Sequence, residues 1–136
     1  TEELIDAAYD SNALISLPHP FTIPPKKSYN FFKKEINKNS LKKIDAIEGS
    51  NSYLSQEANK KAMSWAQKLN KPWTAGSDAH FLGLLGSSLT ACYAETPEEF
   101  IEQIRKKKSM IYCKEIKSVS RNLAAFKSIL NNIKFS

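Results

Sequence analysis

The 136-residue chain has only two histidines, two arginines, two cysteines, two methionines and four glycines. Each scarcity excludes something. Cys92 and Cys113 have neither metal-motif spacing nor the density of a disulfide framework, so reduced thiols in a cytoplasmic protein are expected. Four glycines and six prolines rule out fibrous or low-complexity character, and no glycine-rich phosphate loop is present. No apolar run nears the roughly 18 residues a membrane helix needs; Ala13 to Leu17 is typical of the longest. Thr1-Glu2-Glu3 is too acidic to open a signal peptide. Neither methionine, Met63 or Met110, is an initiator, and a domain cut from a longer protein is the expectation.

What is present suits one compact α/β domain spanning 1–136. Apolar residues make up 41%, charged residues 25% and aromatics 10%, values that disfavour wholesale disorder. The net charge is +6, which favours phosphate-bearing partners. Yet all basic residues but Arg105 and Arg121 are lysines, spread from Lys26-Lys27 to Lys106–Lys108. Proteins that read DNA bases lean on arginine, so solvated helix faces are the better account of the lysines.

Helices and short strands alternate. Residues 2–11 form a helix with Leu4, Ile5, Ala8 and Tyr9 inward, and Ala13 to Leu17 is a strand stopped by Pro18-His19-Pro20. Pro24, Pro25, Lys26 and Lys27 lie in a loop, and Ser28 caps a helix to about Asn37. Ile44 to Glu48 is a second strand, ended at Gly49. Ala58, Ala62, Trp65, Ala66 and Leu69 mark the clearest helix. Trp73 to Ala75 leads into Gly76-Ser77-Asp78-Ala79-His80, and Ser88 to Ala94 is strand-like. Thr96-Pro97-Glu98-Glu99 opens a helix with Phe100, Ile101 and Ile104 inward. Residues 109–116 are a last strand. Val119, Leu123, Phe126, Leu130 and Ile133 stripe a terminal amphipathic helix within 117–136. Such alternation predicts βα units on a largely parallel sheet, whose chemistry sits at the carboxyl ends of the strands.

Both histidines fall at such ends. In an extended segment Asp78 and His80 point to one side, a carboxylate and an imidazole suited to Zn, Mn or Fe. His19, from an earlier strand, is a third candidate ligand. Spacing alone leaves open a surface turn for Asp78 and a buried imidazole bonded to a backbone carbonyl for His19. Glu48 could face the same point, and Asn51 could bond its own turn.

The wording around these residues adds to the pattern. Leu17-Pro-His-Pro-Phe21, Ile47-Glu-Gly-Ser-Asn51 and Thr74-Ala-Gly-Ser-Asp-Ala-His80, in this order, resemble the second half of the PHP family, the polymerase-and-histidinol-phosphatase-type phosphoesterases. Gly83, Gly86 and the Thr96–Lys106 helix extend the resemblance to about residue 116. It implies a distorted seven-stranded (β/α) barrel, of which this chain supplies the second half. It implies up to three divalent metals that activate water against a phosphate ester. His19, Asp78 and His80 match family metal ligands, with Asp78 and His80 at the catalytic centre. Glu48, Asn51 and Lys26 are candidates for contact with a phosphorylated small molecule or nucleotide.

The family's opening His-x-His strand and further ligands have no counterpart here. A fragment of a longer enzyme, inactive alone, is therefore expected, with sheet edges left to pair with the absent amino-terminal half or to self-associate. The competing expectation is a non-catalytic PHP-like module in a larger assembly, either a scaffold domain or a basic relative that binds nucleic acid. The terminal helix packs on the sheet or docks a partner.

Overall fold

A computed structural model describes residues 2–21 and 36–114. The loop holding Lys26 and Lys27, most of the helix expected from Ser28, and the helix expected after Val119 lie outside the described residues. Five strands are described: β1 (Ser16–Leu17), β2 (Ala46–Asn51), β3 (Trp73–Gly76), β4 (Ser88–Ala91) and β5 (Met110–Cys113). The helices are α1 (Glu2–Asp10), α2 (Lys38–Lys43), α3 (Gln56–Lys68) and α4 (Pro97–Arg105). A short 3-10 turn, Leu82–Leu84, precedes β4.

β1, β2 and β3 form a parallel sheet in that order. This bears out a mixed α/β fold with βα connections. The largely parallel expectation does not extend to β4 and β5, which pair antiparallel in a separate two-stranded sheet. The two strands are connected through α4. Its start is set by the Thr96 Oγ1 cap on the Glu99 N–H at 3.1 Å, and Glu99 Oε2 reaches back to the Glu95 N–H at 2.8 Å. The helix is then only nine residues long, and β5 returns alongside β4 in the opposite direction.

The two sheets are joined by a side chain. Thr90 Oγ1 on β4 accepts from the Ala75 N–H at 2.8 Å and donates to the Ala75 carbonyl at 3.2 Å. One hydroxyl thereby satisfies both backbone groups that a neighbouring strand would otherwise have served.

The core lies between the parallel sheet and α3. Ile44, Ile47, Leu17 and Ala66 are buried together, with Trp65 and Leu69 packed against them. Ala58, Ala62 and Ala66 face inward, as their spacing predicts, and their small side chains let the helix lie close to the sheet. Ser55, not assigned from sequence, caps α3 through the Ala58 N–H. α1 departs from expectation. Ile5 is buried, but Leu4 and Tyr9 are exposed, and the Tyr9 ring instead lies under the Lys43 ammonium, 5.4 Å from its centroid. α2 was not legible in the lysine-rich sequence. It is started by Asn37, whose Oδ1 accepts from the Asn39 and Ser40 N–H groups, both at 2.8 Å. Lys71 closes its other end, donating to the Ile44 carbonyl at 2.5 Å and the Lys42 carbonyl at 3.2 Å. Burial pushes the Lys71 ammonium below the usual lysine range, opposed by the charge of Asp45.

Arg105 staples the end of α4 to the start of the parallel sheet. Its Nε meets Asp45 Oδ1 at 3.0 Å, Nη1 donates to Asn12 Oδ1 at 2.9 Å, and Nη2 reaches the Asn12 and Ala13 carbonyls. Asp45 Oδ2 in turn accepts from the Ile15 N–H at 2.8 Å. These charge-assisted bonds lead to an expected loss of about 2 kcal/mol on Arg105→Ala, read by urea denaturation. Arg105→Lys should recover little, because an ammonium cannot span Asp45 and two carbonyls at once.

Candidate functional site at the strand ends

The carboxyl ends of β1, β2 and β3 bring together the residues that follow them. β2 runs on to Asn51, past the stop expected at Gly49. Its pairing to β3 shifts between Glu48 and Ser50, a β-bulge. Gly49 permits it: a Cβ there would lie 2.9 Å from Trp73 Cβ. The bulge matters for side-chain direction. In a regular strand, residues three apart point to opposite faces. The extra residue resets that phase, and Glu48 and Asn51 meet on one side, Asn51 Nδ2 donating to Glu48 Oε2 at 3.1 Å.

Asn51 is the centre of the cluster and is only 1% exposed. Its Nδ2 also donates to Asp78 Oδ2 at 3.2 Å, and its Oδ1 accepts from the Tyr53 N–H at 2.9 Å. The last bond fixes which amide atom is oxygen. Asn59 on α3 clamps the Asn51 backbone, accepting from its N–H at 3.1 Å and donating to its carbonyl at 2.9 Å. Asn51 thus holds its own turn, as one sequence reading had it, and also bridges two carboxylates.

Glu48 is tied to β1 through Oε2, which accepts from the His19 N–H at 2.7 Å. Its other oxygen lies over Gly76, where an added Cβ would stand 2.6 Å from Oε1. The glycine of the Gly76–His80 segment is therefore the cradle for this carboxylate.

His19 has φ +20° and Asp78 φ +48°, conformations that L residues seldom adopt. Asp78 is thus not extended, and the alternation argument for its partnership with His80 does not apply. The two side chains meet all the same, His80 Nε2 lying 3.5 Å from Asp78 Oδ1. Tyr53 packs over the His80 ring, centroids 4.8 Å apart. His19 Nδ1 is buried and, among the described residues, has no hydrogen-bond partner, so the carbonyl-bonded reading of this nitrogen fails.

The donor types suit a divalent metal: an unpaired imidazole nitrogen on His19, a carboxylate on Asp78 and a half-exposed imidazole on His80. They fit as one wall of a site. Among the described residues, no three His, Cys, Asp or Glu side chains gather closely enough to hold an ion by themselves. Asn59, Tyr53 and Thr90 escaped the sequence reading. A helical asparagine beside alanines signals nothing locally.

Comparison with known proteins agrees with the resemblance noted in the sequence. Residues 56–109 match a protein-family model described as PHP-associated, which supports reading the chain as a carboxyl-terminal region of the PHP-domain family. An uncharacterized protein of Methanocaldococcus jannaschii is 36% identical over 87 residues, covering 63% of this chain. The matched stretch spans 37% of that relative's length. No solved structure matches. The family match includes Asn59, Asp78 and His80, while His19, Glu48 and Asn51 precede it.

The hydrogen bonding predicts the response to two substitutions. Asn51→Asp, nearly equal in size, would set a third carboxylate against Glu48 and Asp78. It is expected to cost about 3 kcal/mol or more, exceeding Asn51→Ala, by chemical denaturation at neutral pH. Gly76→Ala is expected to displace Glu48 from the His19 N–H, seen as faster amide exchange at His19 with the α3 amides unchanged.

Proposed function

We infer that this chain is the carboxyl-terminal part of a metal-dependent phosphoesterase of the PHP type. One observation carries the reading. Three successive parallel strands deliver His19, Glu48 with Asn51, and Asp78 with His80 to one end of the sheet, where a buried imidazole nitrogen has no partner among the described residues. Buried polar groups are nearly always satisfied, so an orphaned one is a natural place for a ligand.

In this reading the parallel sheet is part of a (β/α) barrel. The rest of the barrel and the remaining donors come from an amino-terminal half, paired along the β1 edge. A bound divalent ion, Zn, Mn or Fe, would supply Lewis acidity toward the phosphate ester and a reactive water. His19 Nδ1, Asp78 Oδ1 and His80 Nε2 are the atoms that would hold it. The protein's own work is orientation. Asn51 occupies Asp78 Oδ2 and leaves Oδ1 facing His80. Glu48 fixes the backbone of His19, and Tyr53 limits the swing of the His80 ring. The substrate is a phosphorylated small molecule or a nucleotide, with Lys26 placed by sequence two residues past Pro24 in the loop after His19.

The alternative reading, a non-catalytic module that binds nucleic acid, rests on the +6 charge and the missing ligands. Arg105 is consumed by the internal staple. Lys43, Lys61 and Lys106 pair with Asp6, Glu57 and Glu102.

The test is metal binding by the purified chain, by calorimetry with Mn and Zn and by elemental mass spectrometry. Saturable binding is expected to weaken at least tenfold in Asp78→Ala and in His19→Ala. No saturable binding by the wild type, or binding that is equal in the wild type and both variants, would remove the reading.

A further inference from the structure

Asn59 is an odd choice for its position. It lies one turn into α3, beside the inward Ala58 and Ala62, with its own N–H bonded to the Ser55 carbonyl at 3.1 Å. Asparagine in a helix interior costs stability relative to alanine, because its amide competes for backbone groups. Here the amide is turned onto β2. It accepts from the Asn51 N–H at 3.1 Å and donates to the Asn51 carbonyl at 2.9 Å. One side chain meets both backbone groups of a buried residue, as Thr90 does for Ala75.

The turn that follows is built on that residue. Asn51 Oδ1 accepts from the Tyr53 N–H at 2.9 Å, and the Asn51 carbonyl accepts from the Leu54 N–H at 3.3 Å. Two routes lead from it to the strand-end site. Asn51 Nδ2 holds Asp78 Oδ2 at 3.2 Å, which leaves Oδ1 toward His80. Tyr53 lays its ring over the His80 imidazole, centroids 4.8 Å apart. The carboxylate and the imidazole are thus both directed from one backbone position, and a helical side chain fixes that position.

We propose that Asn59 is a positioning residue of the site: through Asn51 and Tyr53 it sets the directions of the Asp78 carboxylate and the His80 ring, without itself holding metal or substrate. Its effect on metal binding rests on the reading of Asp78 and His80 as metal-holding groups. Its effect on the His80 ring does not.

Two variants of the full chain separate positioning from packing. Asn59→Ala gains helix propensity while losing both bonds to Asn51. Ala66→Gly weakens the same helix two turns away, in the core with Leu17, Ile44 and Ile47. The first measurement is proton NMR of the metal-free chain. Its two histidines give two sets of imidazole signals, told apart with His19→Ala. The His80 signals, shifted by the Tyr53 ring, are expected to move toward those of a free imidazole in Asn59→Ala and to stay in Ala66→Gly. The second is calorimetric titration with Mn and with Zn, where Asn59→Ala is expected to bind about tenfold more weakly and Ala66→Gly like the wild type. Unmoved His80 signals in Asn59→Ala, unchanged affinity in that variant, or equal effects of the two variants would overturn the proposal. A wild type that binds no metal would remove the metal reading, and the His80 signals alone would then decide the role of Asn59. Should Asn59→Ala fail to fold, Asn59→Asp decides. It keeps the acceptor for the Asn51 N–H and cannot donate to the carbonyl. Its charge alone would strengthen metal binding, whereas positioning requires weaker binding and moved His80 signals. Equal or tighter binding would overturn the proposal.

Discussion

A buried amide can donate to two carboxylates at once only if its own backbone cannot move. Asn51 meets that condition. Asn59 holds both its N–H and its carbonyl, and the Tyr53 N–H occupies its side-chain oxygen. What remains is a pair of N–H bonds with fixed directions, one to Glu48 and one to Asp78. Through them β1, β2 and the loop after β3 are placed relative to one another. Glu48 carries the connection on to the His19 backbone, and Asp78 carries it to His80. The carboxylates keep their positions near each other because the amide between them is neutral and fully engaged. Low dielectric strengthens such a network only when every member is satisfied.

The order of elements was legible in the sequence because periodicity and capping are local. The alanine stripe of α3 and the Thr96-Pro97 start of α4 each carry their own explanation within a few residues. Legibility failed where the cause was distant. β2 runs past Gly49 because Trp73, on another strand, packs where a side chain would have been. α2 forms in a polar stretch because Lys71, about 30 residues on, closes its end. The antiparallel pairing of β4 and β5 across α4 is likewise stated by no strand pattern.

The site was legible to a similar depth. Its residues could be placed at strand ends from Pro18-His19-Pro20 and Gly76–His80, and Glu48 and Asn51 from the expected end of the second strand at Gly49. Their relations could not. Asp78 and His80 meet although Asp78 is left-handed rather than extended. Glu48 and Asn51 meet because of a bulge, and period-two reasoning would have separated them. The basic charge, conspicuous in composition, turned out to be partly internal wiring: Arg105 and Lys71 work on backbone carbonyls and one aspartate.

The Thr90 hydroxyl has a mechanical consequence. β3 has a peptide-bonded neighbour on one side, in β2, and on the other a single side chain standing in for a peptide unit. A peptide ladder resists sliding along its whole length, whereas one hydroxyl resists it at a point and can pivot about a single bond. The Gly76–His80 segment therefore has its continuous backbone ladder on the β2 side only. The β4–β5 pair meets the parallel sheet at separate points rather than along a ladder: the Thr90 hydroxyl, the Ser52–Cys113 contact and, through α4, the Arg105 staple.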